Sequence, residues 1–331
     1  MTATGLQLVD LRQVDLVQLE PLLEEEIAEW DEALNWDFSE NAAQVRRYVG
    51  TRTLPGVALL DGRSVAGYGY TVLDEPKGLI GDVYLRRSWR QADSEMRMFK
   101  VLLDAMTGTP GIQRVESQLM LAQPEIVRAL DRERFVRVYD RLLMSRDPAE
   151  YLAMERTIDR AEGVQQRFRF VEWDPSALHS LPQLITRAYE GHVDGQINDQ
   201  FTTEAGAGLF LRALMEGGGC GEFFRPASFL AIDRRTLGVA GAILTSFVTR
   251  DTAHVTQICV VPEAQGTGLG RELLRRSLLA LAEGGSAESD AHSDVHERAR
   301  HPALSGGGLC RDAAFLRRRL GRRFLYVKLL N

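Results

Sequence analysis

From His254 to Ala282 the chain reads HVTQICVVPEAQGTGLGRELLRRSLLALA, a β-branched run that passes into a helical pattern through a turn holding Gly266, Gly268 and Gly270. The amides at the start of a helix have no intrahelical acceptor and sit at the positive end of the helix dipole, so a glycine-rich turn at this point suits an anion such as a phosphate. Side chains at the three glycine positions would block a close ligand or forbid positive φ. The turn therefore reads as a phosphate cradle.

Two familiar cradles do not fit. A Walker loop requires Gly-Lys followed by Ser or Thr before the helix, whereas Gly270 is followed by Arg271 and Glu272. A dinucleotide fold places its first glycine directly after a strand inside a βαβ unit. Here Pro262, Glu263, Ala264 and Gln265 intervene, and the preceding strands read as antiparallel hairpins.

The hairpins belong to a repeat. Gly56 to Arg86, GVALLDGRSVAGYGYTVLDEPKGLIGDVYLR, reads as three strands separated by turns. Ser228 to Pro262, SFLAIDRRTLGVAGAILTSFVTRDTAHVTQICVVP, repeats that order, with a shared Val-Ala-Gly at Val65 to Gly67 and at Val239 to Gly241. A helical pattern follows each unit, over Glu95 to Met106 and Gly270 to Ala282, and helix-prone sequence precedes each. With 331 residues, the chain exceeds the usual extent of one hydrophobic core. The expected division is a first domain over 1–148, a polar linker over 149–166 and a second domain over 167–331.

The pattern V-x-P-x-x-Q-G-x-G-L-G-x-x-L-L, carried by Val260, Pro262, Gln265, Gly266, Gly268, Leu269, Gly270, Leu273 and Leu274, resembles the acetyl-CoA signature of the GNAT family of N-acetyltransferases. The resemblance is close over Ser228 to Ala282, looser over Phe168 to Phe224, and visible in the first half only as strand order. It implies an α+β chain of two GNAT-like domains, each a mostly antiparallel, twisted mixed sheet flanked by helices, the N-terminal one degenerate. It implies acetyl-CoA as cosubstrate, no metal, and direct attack of a primary amine, on a small molecule or a protein N-terminus, on the thioester. A non-catalytic acyl-CoA binder or scaffold is the alternative.

Carried over residue by residue, the resemblance implies that the amides of Gly266, Thr267, Gly268, Leu269, Gly270 and Arg271, beside Gln265, hold the pyrophosphate. It also implies that Ile258, Cys259 and Val260 pair with the pantetheine arm at a strand that splays from its neighbour. Cys259 then either lies near the thioester or is a small buried hydrophobe. The stretch RAYEGHVDGQINDQF, Arg187 to Phe201, falls where this family commonly lines its acceptor cleft. Glu190, His192 and Asp194 there either bind or deprotonate an ammonium, or form a solvated polar loop. In the first half, RRSWRQADSEM stands where the glycine turn belongs, with Arg90 and Gln91 in place of glycine, so that half is expected to bind no pyrophosphate. Trp30 and Trp36 read as core or interface anchors.

The remaining features set limits. A net charge of -6 argues against a general affinity for nucleic acid. No apolar run is long enough to span a bilayer, and the N-terminus lacks a signal-peptide pattern, so a cytoplasmic protein is expected. Cys220, Cys259 and Cys310 form no paired framework, and His292, His296 and His301 lack the partners of a metal site. Past Glu283 the family pattern stops. Read one base later, the codons behind Asp290 to Asp294 allow T-L-T-L, those behind Arg298 to Pro302 allow A-R-A-I, Pro302 to Ser305 allow R-L-Y, and Gly308 to Cys310 allow G-F. The missing strand and helix return in order, which points to a frameshift starting between Glu283 and Ala287 and to poorly formed or mispaired last strands.

Overall fold

A computed structural model describes residues 6–74, 76–122, 126, 136–155, 162–216, 221–287, 303–305 and 323–330. The chain divides into two compact units, Met1–Arg141 with Arg323–Asn331, and Leu142–Arg322. Both are mixed α/β, with mostly antiparallel sheets flanked by helices.

The first unit has strands β1 (Leu6–Asp10), β2 (Gly56–Asp61), β3 (Ser64–Asp74), β4 (Lys77–Leu85) and β5 (Arg114–Leu119), with helices α1 (Leu16–Leu34), α2 (Ser39–Gly50) and α3 (Ala92–Thr107). Neighbours β1 to β4 pair antiparallel in chain order, and β4 pairs parallel with β5. Leu19, Leu22 and Leu23 of α1 pack with Val65 and Tyr68 on one face of the sheet, and Met98, Phe99 and Leu102 of α3 pack with Leu85 and Val115 in a separate cluster. Trp30 is 8% exposed and stacks on Phe38 at 4.7 Å, with Trp36 edge-on at 6.5 Å, so the aromatic stretch is an anchor of the fold.

The second unit repeats this plan. After α4 (Pro148–Glu155) and α5 (Glu162–Arg167) come β7 (Phe168–Glu172), α6 (Leu181–Tyr189), α7 (Val193–Ile197), α8 (Glu204–Met215), β8 (Glu222–Phe223), β9 (Phe229–Asp233), β10 (Val239–Phe247), β11 (Ala253–Val260) and α9 (Leu269–Ala287). Strands β7, β9, β10 and β11 pair antiparallel in that order, β8 pairs with β10, and β11 pairs parallel with β12 (Ala303–Ser305).

The repeat holds at the level of single hydrogen bonds. Gly67 lies opposite Leu85 and Gly241 opposite Val260. The next amide after each strand bonds back to the alanine of the Val-Ala-Gly: Arg86 to the Ala66 carbonyl at 2.8 Å, and Val261 to the Ala240 carbonyl at 2.9 Å. A Cβ at Gly67 would stand 3.2 Å from Met98 Sδ of α3, and one at Gly241 would stand 3.1 Å from Leu273 Cδ1 of α9. The shared glycine is thus where a helix presses onto the sheet. Each sheet is completed by a strand far from its partner in the sequence. β13 (Arg323–Leu330) pairs antiparallel with β5 in the first unit, while the end of β6 (Val136–Ser145) pairs antiparallel with β12 in the second.

These two pairings run in register, Leu325 opposite Leu119 and Ala303 opposite Ser145. RFLYVKLL is apolar and β-prone wherever the segment before it came from. The frame-shifted motif positions 290–302 and 308–310, His292, His296 and His301 among them, lie outside the described residues, as do Cys220 and Cys310. Among the described residues no helix is long and apolar enough to cross a membrane.

The first unit also buries an acid. Glu26 of α1 is 0% exposed and accepts from the Tyr68 hydroxyl at 2.7 Å. Burial, with the Asp82 carboxylate close by, pushes its carboxyl well above the ordinary 4.5. A folded pKa above the unfolded one contributes stability that is fully present below the unfolded value and is lost as the pH rises through the folded value. Glu26→Gln keeps a polar partner for Tyr68 without the charge. It is expected to raise the thermal midpoint relative to the parent at pH 8 and to leave it unchanged near pH 4, measured by thermal unfolding across that range.

Candidate acyl-transfer site

The glycine turn sits where β11 ends and α9 begins. Val261 donates to Ala240, so strand alternation turns the amides of Gln257 and Cys259 toward β10 and those of Ile258 and Val260 to the opposite edge. On that edge the ladder to β12 consists of His254 opposite Ala303 alone; among the described residues, Val255 to Val260 have no ladder partner there. The opening coincides with a β-bulge. The β10 register shifts between Leu244 and Thr245, leaving Thr256 as the extra residue, and its hydroxyl donates to the Leu244 carbonyl at 3.0 Å. An extended ligand arm can therefore add to β11 as a strand.

Beyond Val260 a short 3-10 turn, Pro262–Ala264, leads to Gln265, whose Nε2 donates to the Val260 carbonyl at 3.3 Å. Gly266 and Gly268 then take φ of +72° and +86°, conformations that cost an L side chain about 1–2 kcal/mol. Gly270 has no such φ, and a Cβ there would lie 3.7 Å from Val260 Cγ2, an ordinary contact. Glu272 is the first amide to bond back into the turn, to Gly268 at 3.0 Å. Among the described residues the amides of Gly266, Thr267, Gly268, Leu269 and Gly270 donate to no backbone carbonyl. Five neighbouring donors at a helix N-terminus, two of them on glycines held at positive φ, fit a diphosphate.

The first unit shows how the same framework loses this property. Arg90 Nη2 donates to the Leu85 carbonyl at 3.1 Å, as Gln265 does to Val260. Counting on from these two residues sets Gln91, Asp93 and Glu95 against Gly266, Gly268 and Gly270. Asp93 and Glu95 place two carboxylates in the first turn of α3, and Glu95 is 4% exposed. They complement the helix dipole and would repel a phosphate. Arg90 itself is clamped by Glu29, with Nη1 and Nη2 at 2.6 and 2.7 Å from its two oxygens.

Cys259 is buried in the core of the second unit, and burial pushes its thiol up to about 12. It carries no thiolate at neutral pH, so of its two readings the structure supports the buried hydrophobe. Its backbone remains part of the open strand.

A cavity of about 480 Å³ lies at the end of α6 and in the loop into α7, with Glu190 and His192 in its wall. Asp194 is not in the wall; it is 3% exposed and sits behind His192, with Oδ2 3.4 Å from Nδ1. The Asp194 amide donates to the same Nδ1 at 3.2 Å, so a neutral His192 holding this cap carries its proton on Nε2. Two further contacts, not foreseen in the sequence, tie the cavity to β11 and the turn. Gln257 Nε2 donates to the Tyr189 hydroxyl at 3.1 Å, and Arg187 pairs with Glu263 at 2.7 Å. A buried polar residue at the bulge of a strand was the available signal for Gln257; Tyr189 carried none beyond its place at the end of an amphipathic helix.

The strand thus opens from its parallel neighbour at a bulge and runs into a glycine turn whose amides suit an anion, next to a cavity. Residues 209–302 match the family model described as Acetyltransferase (GNAT) family. The whole-chain fold is similar to a GCN5-related N-acetyltransferase from Sphaerobacter thermophilus, at 13% identity and a TM-score of 0.62, covering 100% of this chain and 97% of that one. It is also similar to a tandem GNAT protein from the clavulanic acid biosynthesis pathway, at 12% identity and a TM-score of 0.55, covering 98% of each chain. No curated protein matches the sequence.

Proposed function

We propose that the second unit transfers an acetyl group from acetyl-CoA to a primary amine. The observation that carries this reading is the joining of five unbonded amides in the glycine turn to the open edge of β11. In this reading the amides of Gly266 to Arg271 bind the pyrophosphate and Ile258 to Val260 pair with the pantetheine arm. The thioester supplies the activated acetyl carbon. A strand amide near Val260 stabilises the developing oxyanion, and Glu190 and His192, backed by Asp194, receive the amine. The amine nitrogen attacks the carbonyl carbon, the carbon–sulfur bond breaks, and the proton lost by nitrogen leaves the free thiol protonated. The first unit, with carboxylates in its cradle, is a structural or substrate-shaping partner, and the acidic chain works in the cytoplasm.

The burial that pushes the Cys259 thiol up supports a direct transfer without an acyl-enzyme on this residue. Cys259→Ala is expected to keep its turnover within about threefold of the parent, and intact-mass spectrometry after mixing with acetyl-CoA alone is expected to show no added acetyl group. Calorimetry tests the assignment to one unit: coenzyme A binds once per chain, and two equivalent sites would reject it.

A further inference from the structure

Both sheets break register at the same place. β4 slips against β3 between Val83 and Ile80, and β11 slips against β10 between Gln257 and Val255. Counting back three residues from Leu85 and Val260, which lie opposite the shared glycines, reaches Asp82 and Gln257, one at each bulge. Each of these polar side chains meets a helix that precedes the hairpins. Asp82 meets Glu26 of α1, which is 0% exposed, so that pair ends inside the core. Gln257, itself 2% exposed, donates to the Tyr189 hydroxyl at 3.1 Å, and Tyr189 stands in the wall of the cavity.

Tyr189 is also where the acceptor turn leaves α6. Its carbonyl accepts from the His192 amide at 3.0 Å, Gly191 turns the chain at φ +71°, and the ring meets the His192 imidazole edge-on at 5.8 Å. The pair adds little to stability. Gln257 Oε1 accepts no hydrogen bond among the described residues, and the Cys259 thiol beside the amide is a weak partner. A buried oxygen left unpaired costs about 1–3 kcal/mol, whereas two apolar side chains of similar shape would fill the same place without that cost. What the bond supplies is position: it ties the turn carrying Glu190 and His192 to the strand that holds the acyl arm in the N-acetyltransferase reading. We infer that Gln257 and Tyr189 are positioning residues, whose bond sets the reach of Glu190 and His192 to the thioester. The inference rests on that reading, and a misplacement of about 1 Å in such a reach costs up to about 100-fold in rate.

Tyr189→Phe, and Tyr189→Phe combined with Gln257→Met, remove the bond and keep the packing. Glycinamide, phenethylamine and spermidine are screened by thiol release from acetyl-CoA, and the fastest is carried forward. Both variants of the full-length chain are expected to lose at least about tenfold in kcat, with the Kd of coenzyme A unchanged, and the double variant is expected to unfold no earlier than the parent. Nitrogen NMR reads the His192 imidazole without turnover, its signals assigned by their loss in His192→Gln. One neutral tautomer, with the proton on Nε2, is expected in the parent, and an average of the two tautomers in both variants. A double variant that melts well below the parent gives the pair a structural role and overturns the inference, as does a parental kcat or an unchanged His192 signal in either variant. An altered His192 signal in a chain that releases no thiol with any of the three amines sustains the positioning link and counts against the transfer reading instead.

Discussion

Gly268→Glu is expected to weaken coenzyme A by at least about 100-fold, close to 2.8 kcal/mol, while the second unit keeps its fold. Three effects add in the same direction. At φ +86° an L residue strains the turn, so the amides on either side move from their present aim. The new side chain starts at the mouth of the cradle; a Cβ there would touch only Val164 Cγ2, at 3.4 Å, which leaves the core undisturbed. Its carboxylate then brings to the second unit the charge that Asp93 already carries in the first. Gly266→Val tests the strain without the charge and is expected to abolish binding as well, since a β-branched residue tolerates φ +72° poorly. Circular dichroism beside the titration separates lost binding from lost structure. A folded Gly268→Glu that binds normally would remove the pyrophosphate from this turn.

Much of this framework was legible in the residues. The Val-Ala-Gly repeat, the strand order of both halves and the glycine turn are local patterns, and alternation or helical spacing of a few side chains sets them. The α1, α3 and α9 segments stood out because their apolar faces recur at helical spacing. Two features were not legible, for one reason: they depend on which strand edge is left open. That β13 completes the first sheet and the end of β6 the second is a matter of partner choice among apolar strands, on which RFLYVKLL is silent. The acceptor loop gave Glu190 and His192 by residue type. It could not show that Asp194 lies behind His192 or that Tyr189 reaches Gln257, because both relations depend on how α6 and α7 pack. Glu95 escaped notice as well: in sequence it is one more helix carboxylate, and only the matching of Arg90 with Gln265 shows that it stands where a glycine stands in the other unit.

The second large effect concerns the gene. The codons of Asp290 to Asp294, Pro302 to Ser305 and Gly308 to Cys310 are expected to spell T-L-T-L, L-Y and G-F when read one base later, and resequencing decides this at once. By the resemblance to the GNAT family, the tyrosine of R-L-Y in the corrected chain is expected to protonate the departing thiolate. General acid catalysis contributes on the order of 10²–10⁴ in rate. The corrected gene is accordingly expected to give an enzyme at least about 100-fold faster than this chain, in the same assay and with the same amine. Codons that do not spell the motif end the idea, and a corrected chain no faster than the present one removes the role assigned to that helix.

Amine-dependent release of free thiol from acetyl-CoA tests the central claim most directly. With a thiol reagent in excess, the account predicts that thiol appears only when a competent amine is present, in equal amount to the N-acetylated amine found by mass spectrometry, and that Gly268→Glu stops both. Binding of acetyl-CoA with no amine-dependent thiol in either this chain or its frame-corrected form would contradict transfer and leave a protein that holds acyl-CoA without consuming it.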